Sequence, residues 1–149
     1  MEFVVINAAK LDLDLNNSRF MVRCRIVKND GTNMPAADAC KSGLVNLLLH
    51  SLLKEVTVLF NNKTVSDPSN MYAYRFYLET LLTCNDDIQK YRLKSEGWHK
   101  DKHNKMDKAE SKDNTGLVER RKYCAESSDI VLIGRLHADV FHIRHLWST

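Results

Sequence analysis

Glycine and proline are scarce in this sequence, five and two in 149 residues. No Rossmann glycine fingerprint, P-loop or Gly-x-Ser-x-Gly nucleophile elbow occurs, so the common phosphate-cradling and acyl-transfer frameworks are excluded. Cysteine is sparse as well. Cys24, Cys40, Cys84 and Cys124 are widely spaced and form no Cys-x-x-Cys pair, which argues for free thiols and against a thiolate zinc site. No apolar run approaches the roughly 20 residues that span a bilayer. The opening MEFVVINAAK lacks the basic and long apolar regions of a secretory signal. An intracellular setting, cytoplasm or nucleus, is therefore expected. Internal repeats and low-complexity tracts are also missing.

What is present reads as one globular domain, residues 1–149. Hydrophobic residues make up 44% and charged residues 28%, a balance suited to a packed core rather than to disorder. Alternation supplies several strand expectations. Leu11, Leu13 and Leu15 alternate with Asp12 and Asp14. Phe20, Val22, Cys24 and Ile26 alternate with Arg23 and Arg25, ahead of a turn at Asn29-Asp30-Gly31-Thr32. Phe3 to Ile6, Glu55 to Phe60, Ile130 to Ile133 and Leu136 to Leu146 are further strand candidates. Leu44 to Leu53 fits either a helical turn or a buried strand.

The stretch Phe60 to Leu82, FNNKTVSDPSNMYAYRFYLETLL, combines a turn at Asn61-Asn62, a Pro68 loop and an aromatic helical pattern. Tyr74, Leu78, Leu81 and Leu82 fall at helical spacing, with Arg75 and Glu79 four apart. Residues 90–122 differ in character, holding eleven Lys or Arg against six Asp or Glu and few aliphatics. They read as a long exposed charged loop.

Candidate chemistry is thin. His99 and His103 share a helical spacing, and His137, His142 and His145 cluster near the end. Neither set has the supporting ligands of a metal site. Asp12 with Asp14 reads as a wet strand face, and Asp86-Asp87 as a cap for a following turn. The sequence is read as non-catalytic, with no cofactor and no small-molecule substrate.

FNNKTVSDPSNMYAYRFYLETLL resembles a signature of the major capsid proteins of Polinton (Maverick) virus-like DNA transposons, which are similar to hexon-type double jelly-roll capsid proteins. Supporting matches are Asn46-Leu47-Leu48-Leu49-His50-Ser51-Leu52, Trp98-His99-Lys100-Asp101, Asn114-Thr115-Gly116-Leu117 with Arg120-Arg121, and Leu136-His137-Ala138-Asp139-Val140-Phe141. Together they span roughly Leu11 to Leu146. The resemblance implies an all-β, antiparallel jelly-roll sandwich, with a short helical insertion near 71–82 and the charged loop near 90–122. It implies a capsid-type structural role through self-association into trimers, with a weak contact to packaged DNA. Its motif positions here are Asn61, Tyr74, Arg75, Leu78, Glu79, Trp98, Asp101, Gly116, Asp139 and Phe141.

Family members are longer and carry two jelly rolls, whereas this chain reaches Thr149 shortly after its LHADVF motif. Leu53 also stands where the family pattern has Phe. An N-terminal fragment, or a decayed or host-retained copy with an incomplete first jelly roll, is the matching expectation. The competing reading is a non-catalytic β-rich adaptor that binds nucleic acid or an acidic partner through 90–122.

Overall fold

A computed structural model describes residues 2–4, 14–35, 42–66, 70–106, 108 and 112–142 of the chain. The alternation in Phe20–Cys24 produces strand β1, with Phe20, Val22 and Cys24 turned inward and Met21 and Arg23 outward. The turn after it forms at Asn29 to Thr32. Gly31 is left-handed, the Asp30 carboxylate accepts the Thr32 N–H at 2.9 Å, and Val27 bridges Asn33.

Helix α1, Leu48–Ser51, is the helical outcome of the ambiguous Leu44 to Leu53 run. Leu47 enters it in a left-handed conformation (φ 54°) while 1% exposed. Leucine holds that costly geometry because its N–H is taken by Asn46 Oδ1 (3.1 Å) and Gly97 O (3.3 Å).

Strands β2, Leu59–Phe60, and β3, Lys63–Thr64, form a hairpin across Asn61 (φ 47°) and Asn62 (φ 63°). Two successive left-handed residues define the tight turn whose twist matches paired strands, and asparagine tolerates it. The strand expected over Glu55 to Phe60 is confined to its last two residues.

Helix α2, Tyr72–Thr83, carries the aromatic pattern. Beyond it a π turn at Ile88–Arg92 and a 3-10 turn at Leu93–Glu96 run to Gly97. Gly97 is required there: its φ is +88°, and an added Cβ would stand 3.2 Å from Leu48 N. Asp87 stands at the N-cap of the π turn without a side-chain cap bond, and the Ile88 N–H is accepted by Asn85 Oδ1 at 2.9 Å. Helix α3, Thr115–Lys122, begins at Asn114, whose side chain accepts the Leu117 N–H.

Strand β4, Ile130–Gly134, then returns to β1. The pair is antiparallel, with Phe20 opposite Gly134, Val22 opposite Leu132 and Cys24 opposite Ile130. The ribbon thus joins segments far apart in sequence.

The jelly-roll expectation is overturned. Among the described residues the sheets are two separate two-stranded ribbons, β1–β4 and β2–β3, and helices and turns make up most of the regular structure. Two packed antiparallel sheets are absent from it. Short alternating stretches misled the strand reading. Leu15–Asn17 is a 3-10 turn, and Asp139–Phe141 is another. Both place apolar residues in a core, so alternation there marks burial and not an extended backbone. Residues 5–13 and 143–149, where parts of three expected strands fall, lie outside the described residues, as does the Pro68 loop.

The charged-loop expectation for 90–122 is overturned in part. This stretch contributes the buried residues Leu93, Glu96, Trp98, Asn114, Leu117 and Arg120. Its helical pieces escaped notice because half of these inward positions are polar, which erases the apolar period.

Three apolar clusters result. Leu44, Leu48, Leu49, Cys124, Ile130 and Leu132 pack beneath the inner face of β1. Leu15, Val140 and Phe141 pack with Val58 and Phe60. Leu47, Leu93 and Trp98 pack with Phe76, Tyr77 and Cys84.

Candidate functional site

Two buried polar networks collect most of the conspicuous residues. The first is centred on Arg120. Its Nε donates to Leu44 O at 2.8 Å, Nη1 to His99 O at 2.6 Å, and Nη2 to Asp101 Oδ1 at 2.8 Å. The same Asp101 oxygen accepts Asn114 Nδ2 at 2.8 Å, and Asn114 Oδ1 accepts the Lys102 N–H at 3.0 Å. Asn46 closes the set by pairing with the His99 backbone in both directions, at 2.9 and 3.0 Å.

Gly116 lets α3 lie against this strip. A Cβ there would overlap Lys100 O and come to 2.7 Å from His99 O. Arg120 and Asp101 side chains are 6% and 10% exposed, so the guanidinium is held by matched acceptors in place of water. The arrangement is a clamp. It joins 44–46, 98–102 and 114–120.

The second network runs through Tyr72. The Tyr72 Oη accepts the His137 N–H at 2.9 Å and lies 2.9 Å from His50 Nδ1. His50 bridges this hydroxyl to Glu96, its Nε2 lying 3.1 Å from Glu96 Oε2. Burial pushes the Tyr72 hydroxyl up to about 12, countered by the His137 N–H and reinforced by Glu96.

Beside this relay, His137 Nε2 lies 2.7 Å from Glu79 Oε2. Burial depresses the His137 pKa despite that carboxylate, so the contact joins a neutral imidazole to a charged acceptor. Arg75 bonds Glu79 at 2.7 Å and Asp139 at 3.2 Å, and Arg75 holds the Glu79 carboxyl below its ordinary value. The Phe76 ring separates the two histidines, 3.9 Å from His50 and 4.6 Å from His137 between centroids.

A hydroxyl, an imidazole and a carboxylate in sequence have the order of a nucleophile, base and orienting acid. Access decides against that use. Tyr72, His50 and Glu96 are 7%, 1% and 7% exposed, and none of them lines the cleft described below. A substrate cannot reach the Tyr72 oxygen without opening the core.

The expected motif residues divide accordingly. Trp98, Asp101 and Gly116 join the first network and its packing, and Arg75, Glu79 and Asp139 join the second. Asn61 forms the hairpin turn, and Phe141 sits in the core with Leu15 and Val140. Tyr74 and Leu78 belong to neither network and are exposed, 61% and 38%. His99 bonds Asn46 and Tyr123 instead of pairing with His103. Among the described residues, no three His, Cys, Asp or Glu side chains converge as metal ligands.

Sequence reading missed Glu96, Tyr72 and Gln89 as polar groups of consequence. Glu96 lies among lysines and is followed by a glycine, so nothing local distinguishes it from a solvated acid.

A solvent-facing cleft of about 360 Å³ is lined by Asp86, Gln89, Lys90, Lys94, Trp98, His99 and Lys100. Lys100 pairs with Asp86 at 2.9 Å. Burial lowers the His99 pKa, opposed by Glu119 and assisted by Lys94, Arg120 and Lys122.

No protein-family model matches the chain, and no curated protein or solved structure matches it at a significant level. Among the described residues, no helix is long and apolar enough to cross a membrane.

Proposed function

We propose that the chain is a non-catalytic structural protein of capsid type that works by self-association. One observation carries the reading: α2 is apolar on both sides. Tyr72, Phe76 and Tyr77 face the interior, while Tyr74, Leu78, Leu81 and Leu82 are exposed at 61%, 38%, 42% and 84%. Arg75 and Glu79 form a polar stripe beside these two faces, and exposed apolar surface of this kind marks interaction sites.

The outer face of the β1–β4 ribbon adds Met21, Val131 and Ile133, exposed at 64%, 53% and 42%. Among the described residues that ribbon has two strands, and its outer edges are surfaces suited to further backbone pairing. A second copy of this chain is the occupant that supplies matching apolar and edge surfaces at once.

The resemblance to Polinton-type capsid proteins supports the same reading from the sequence side, with trimers as the implied assembly. Its motif residues serve mainly as internal ties, which suits a structural protein better than an enzyme. An adaptor surface on 90–122 retains the exposed lysines with Tyr91 and Arg92, but not Trp98, Asp101, Asn114 and Arg120, which are taken up in internal contacts.

Light scattering on a sizing column, at low and high salt, tests the reading. The expected result is a salt-resistant oligomer, since apolar contacts are not screened. A monomer at both ionic strengths and at concentrations up to about 100 µM, where standard interfaces are occupied, would overturn it.

A further inference from the structure

One end of the β1–β4 ribbon gathers positive charge without the carboxylates that usually hold it. Phe20 pairs with Gly134 at that end, so the next residues outward, Arg19 and Arg135, flank it together. Like charges opposite each other on paired strands repel. A single residue nevertheless tethers both. Asn16 O accepts Arg19 Nη1 at 3.2 Å, and Asn16 Oδ1 accepts Arg135 Nη1 at 2.8 Å. Arg92, the last residue of the π turn, brings a third guanidinium to the same place. Burial lowers the Arg135 pKa, and the charges of Arg19 and Arg92 lower it further against Asp14 and Glu96. Burial, then Arg135 and Arg92, depress His142 as well, so both guanidinium groups also neighbour one imidazole.

Among the described residues, Arg23, Arg75 and Arg120 have carboxylate partners, whereas Arg19, Arg92 and Arg135 have none. The acids nearby are engaged elsewhere. Asp14 accepts the Asn17 N–H and side-chain amide, and Glu96 lies against His50. Arg135 is half-buried, which holds its guanidinium in place. Its Nη1 is on Asn16 and its Nε is enclosed without an acceptor. Its Nη2 has no acceptor among the described residues and stays open to solvent. A guanidinium has five N–H donors in one plane, and most of those on Arg135 are unanswered. Arg19 and Arg92 are exposed, so their long side chains can reach a ligand seated on Arg135.

Three guanidinium groups from three segments call for a ligand with several acceptor oxygens and more than one negative charge. A carboxylate has two oxygens and one charge. A phosphate group has the oxygens and the charge, and the planar fork of arginine matches its geometry.

We propose that Arg19, Arg92 and Arg135 form a phosphate-binding site at this end of the ribbon, with Arg135 Nη2 as its fixed donor. The phosphate is either the free ion or the terminal group of a larger monoester, and the chemistry is shared. The site does not depend on self-association, since none of Tyr74, Leu78, Leu81 or Leu82 takes part.

Titration calorimetry on the full chain at neutral pH tests it with three probes: inorganic phosphate, phenyl phosphate and acetate. Arg92→Gln, at an exposed position, should weaken the bound phosphate compound by at least about tenfold, the scale of one charge-assisted contact. Arg135→Gln should weaken it as much or more. Lys28→Gln, beyond the opposite end of β1, should leave binding within about twofold, because a distant exposed charge is screened.

Binding of inorganic phosphate identifies the free ion as sufficient, and binding of phenyl phosphate alone identifies a monoester. The proposal is overturned if neither phosphate compound binds at up to about 10 mM, beyond the weakest specific affinities. It is overturned if Arg92→Gln and Arg135→Gln both leave binding unchanged, or if Lys28→Gln weakens it equally, which would mean a diffuse field. Acetate binding as tightly as phosphate would overturn it too. Unchanged circular dichroism of the three variants establishes that folding is intact, and Arg92→Gln decides the question if Arg135→Gln unfolds.

Discussion

Arg120 donates to Asp101 at 2.8 Å across 19 positions of sequence, with both side chains almost out of solvent. The pair sits where α3 leans on the 98–102 strip. Removing one partner strands the other in low dielectric, and such losses run to about 3–5 kcal/mol. Asp101→Ala should therefore lower the urea midpoint strongly, and Asp101→Asn by less, because the amide still offers an acceptor. Equal stability of Asp101→Ala and the parent would show that the clamp does not hold α3.

Gly116→Ala pits helix propensity against space. Alanine gains up to about 1 kcal/mol over glycine in a helix. Here the added methyl meets the carbonyl oxygens of Lys100 and His99, one of them at 2.7 Å, and neither is the end of a flexible side chain. Overpacking of this kind costs about 1–3 kcal/mol. A lower thermal midpoint is expected, and a raised one would mean that α3 is free to move off the strip.

The Tyr72 relay makes stability depend on pH at both ends. His137 has a depressed pKa in the fold, so the unfolded chain binds the proton more readily. Its contribution is complete above the ordinary histidine value of 6.5 and declines as pH falls below it. Burial lowers His99 and His142 in the same direction. Tyr72 behaves oppositely: with its hydroxyl raised from 10.0 to about 12, stability holds below pH 10 and falls between the two values. Urea midpoints should drop from pH 7.5 to 5.5, and His137→Gln should flatten part of that slope.

Tyr72→Phe removes the hydroxyl from His50 Nδ1 and the His137 N–H together. Each buried group left without a partner costs about 1–3 kcal/mol, so a clear loss of stability is expected despite the near-identical shape. Chemical denaturation of the two proteins side by side measures it. A change under about 0.5 kcal/mol, typical of unremarkable surface positions, would count against the relay as a structural tie.

Leu82 is 84% exposed and contributes little to the interior. Leu82→Glu should leave the urea midpoint within about 0.5 kcal/mol, as surface changes usually do. It should nevertheless reduce the oligomer fraction seen by light scattering, because a charge in an apolar contact must be desolvated. An unchanged mass would remove α2 from the self-association surface.

Some of this architecture is legible in the amino-acid order, because it depends on neighbours along the chain. The alternation of Phe20, Val22 and Cys24 determines which face of β1 is buried, and the four-residue step from Arg75 to Glu79 determines their pairing on α2. Asn61-Asn62 determines a tight turn by backbone preference alone.

The jelly-roll architecture implied by the resemblance did not survive, since alternation in a few residues is shared by strands and by buried 3-10 turns such as Asp139–Phe141. Only the tertiary structure decided which positions of residues 90–122 are internal. Glu96 meets His50 from 46 positions away, and Arg120 meets Leu44 from 76. Whether a charged side chain is solvated or buried depends on a partner arriving from elsewhere, and local composition carries no record of that arrival.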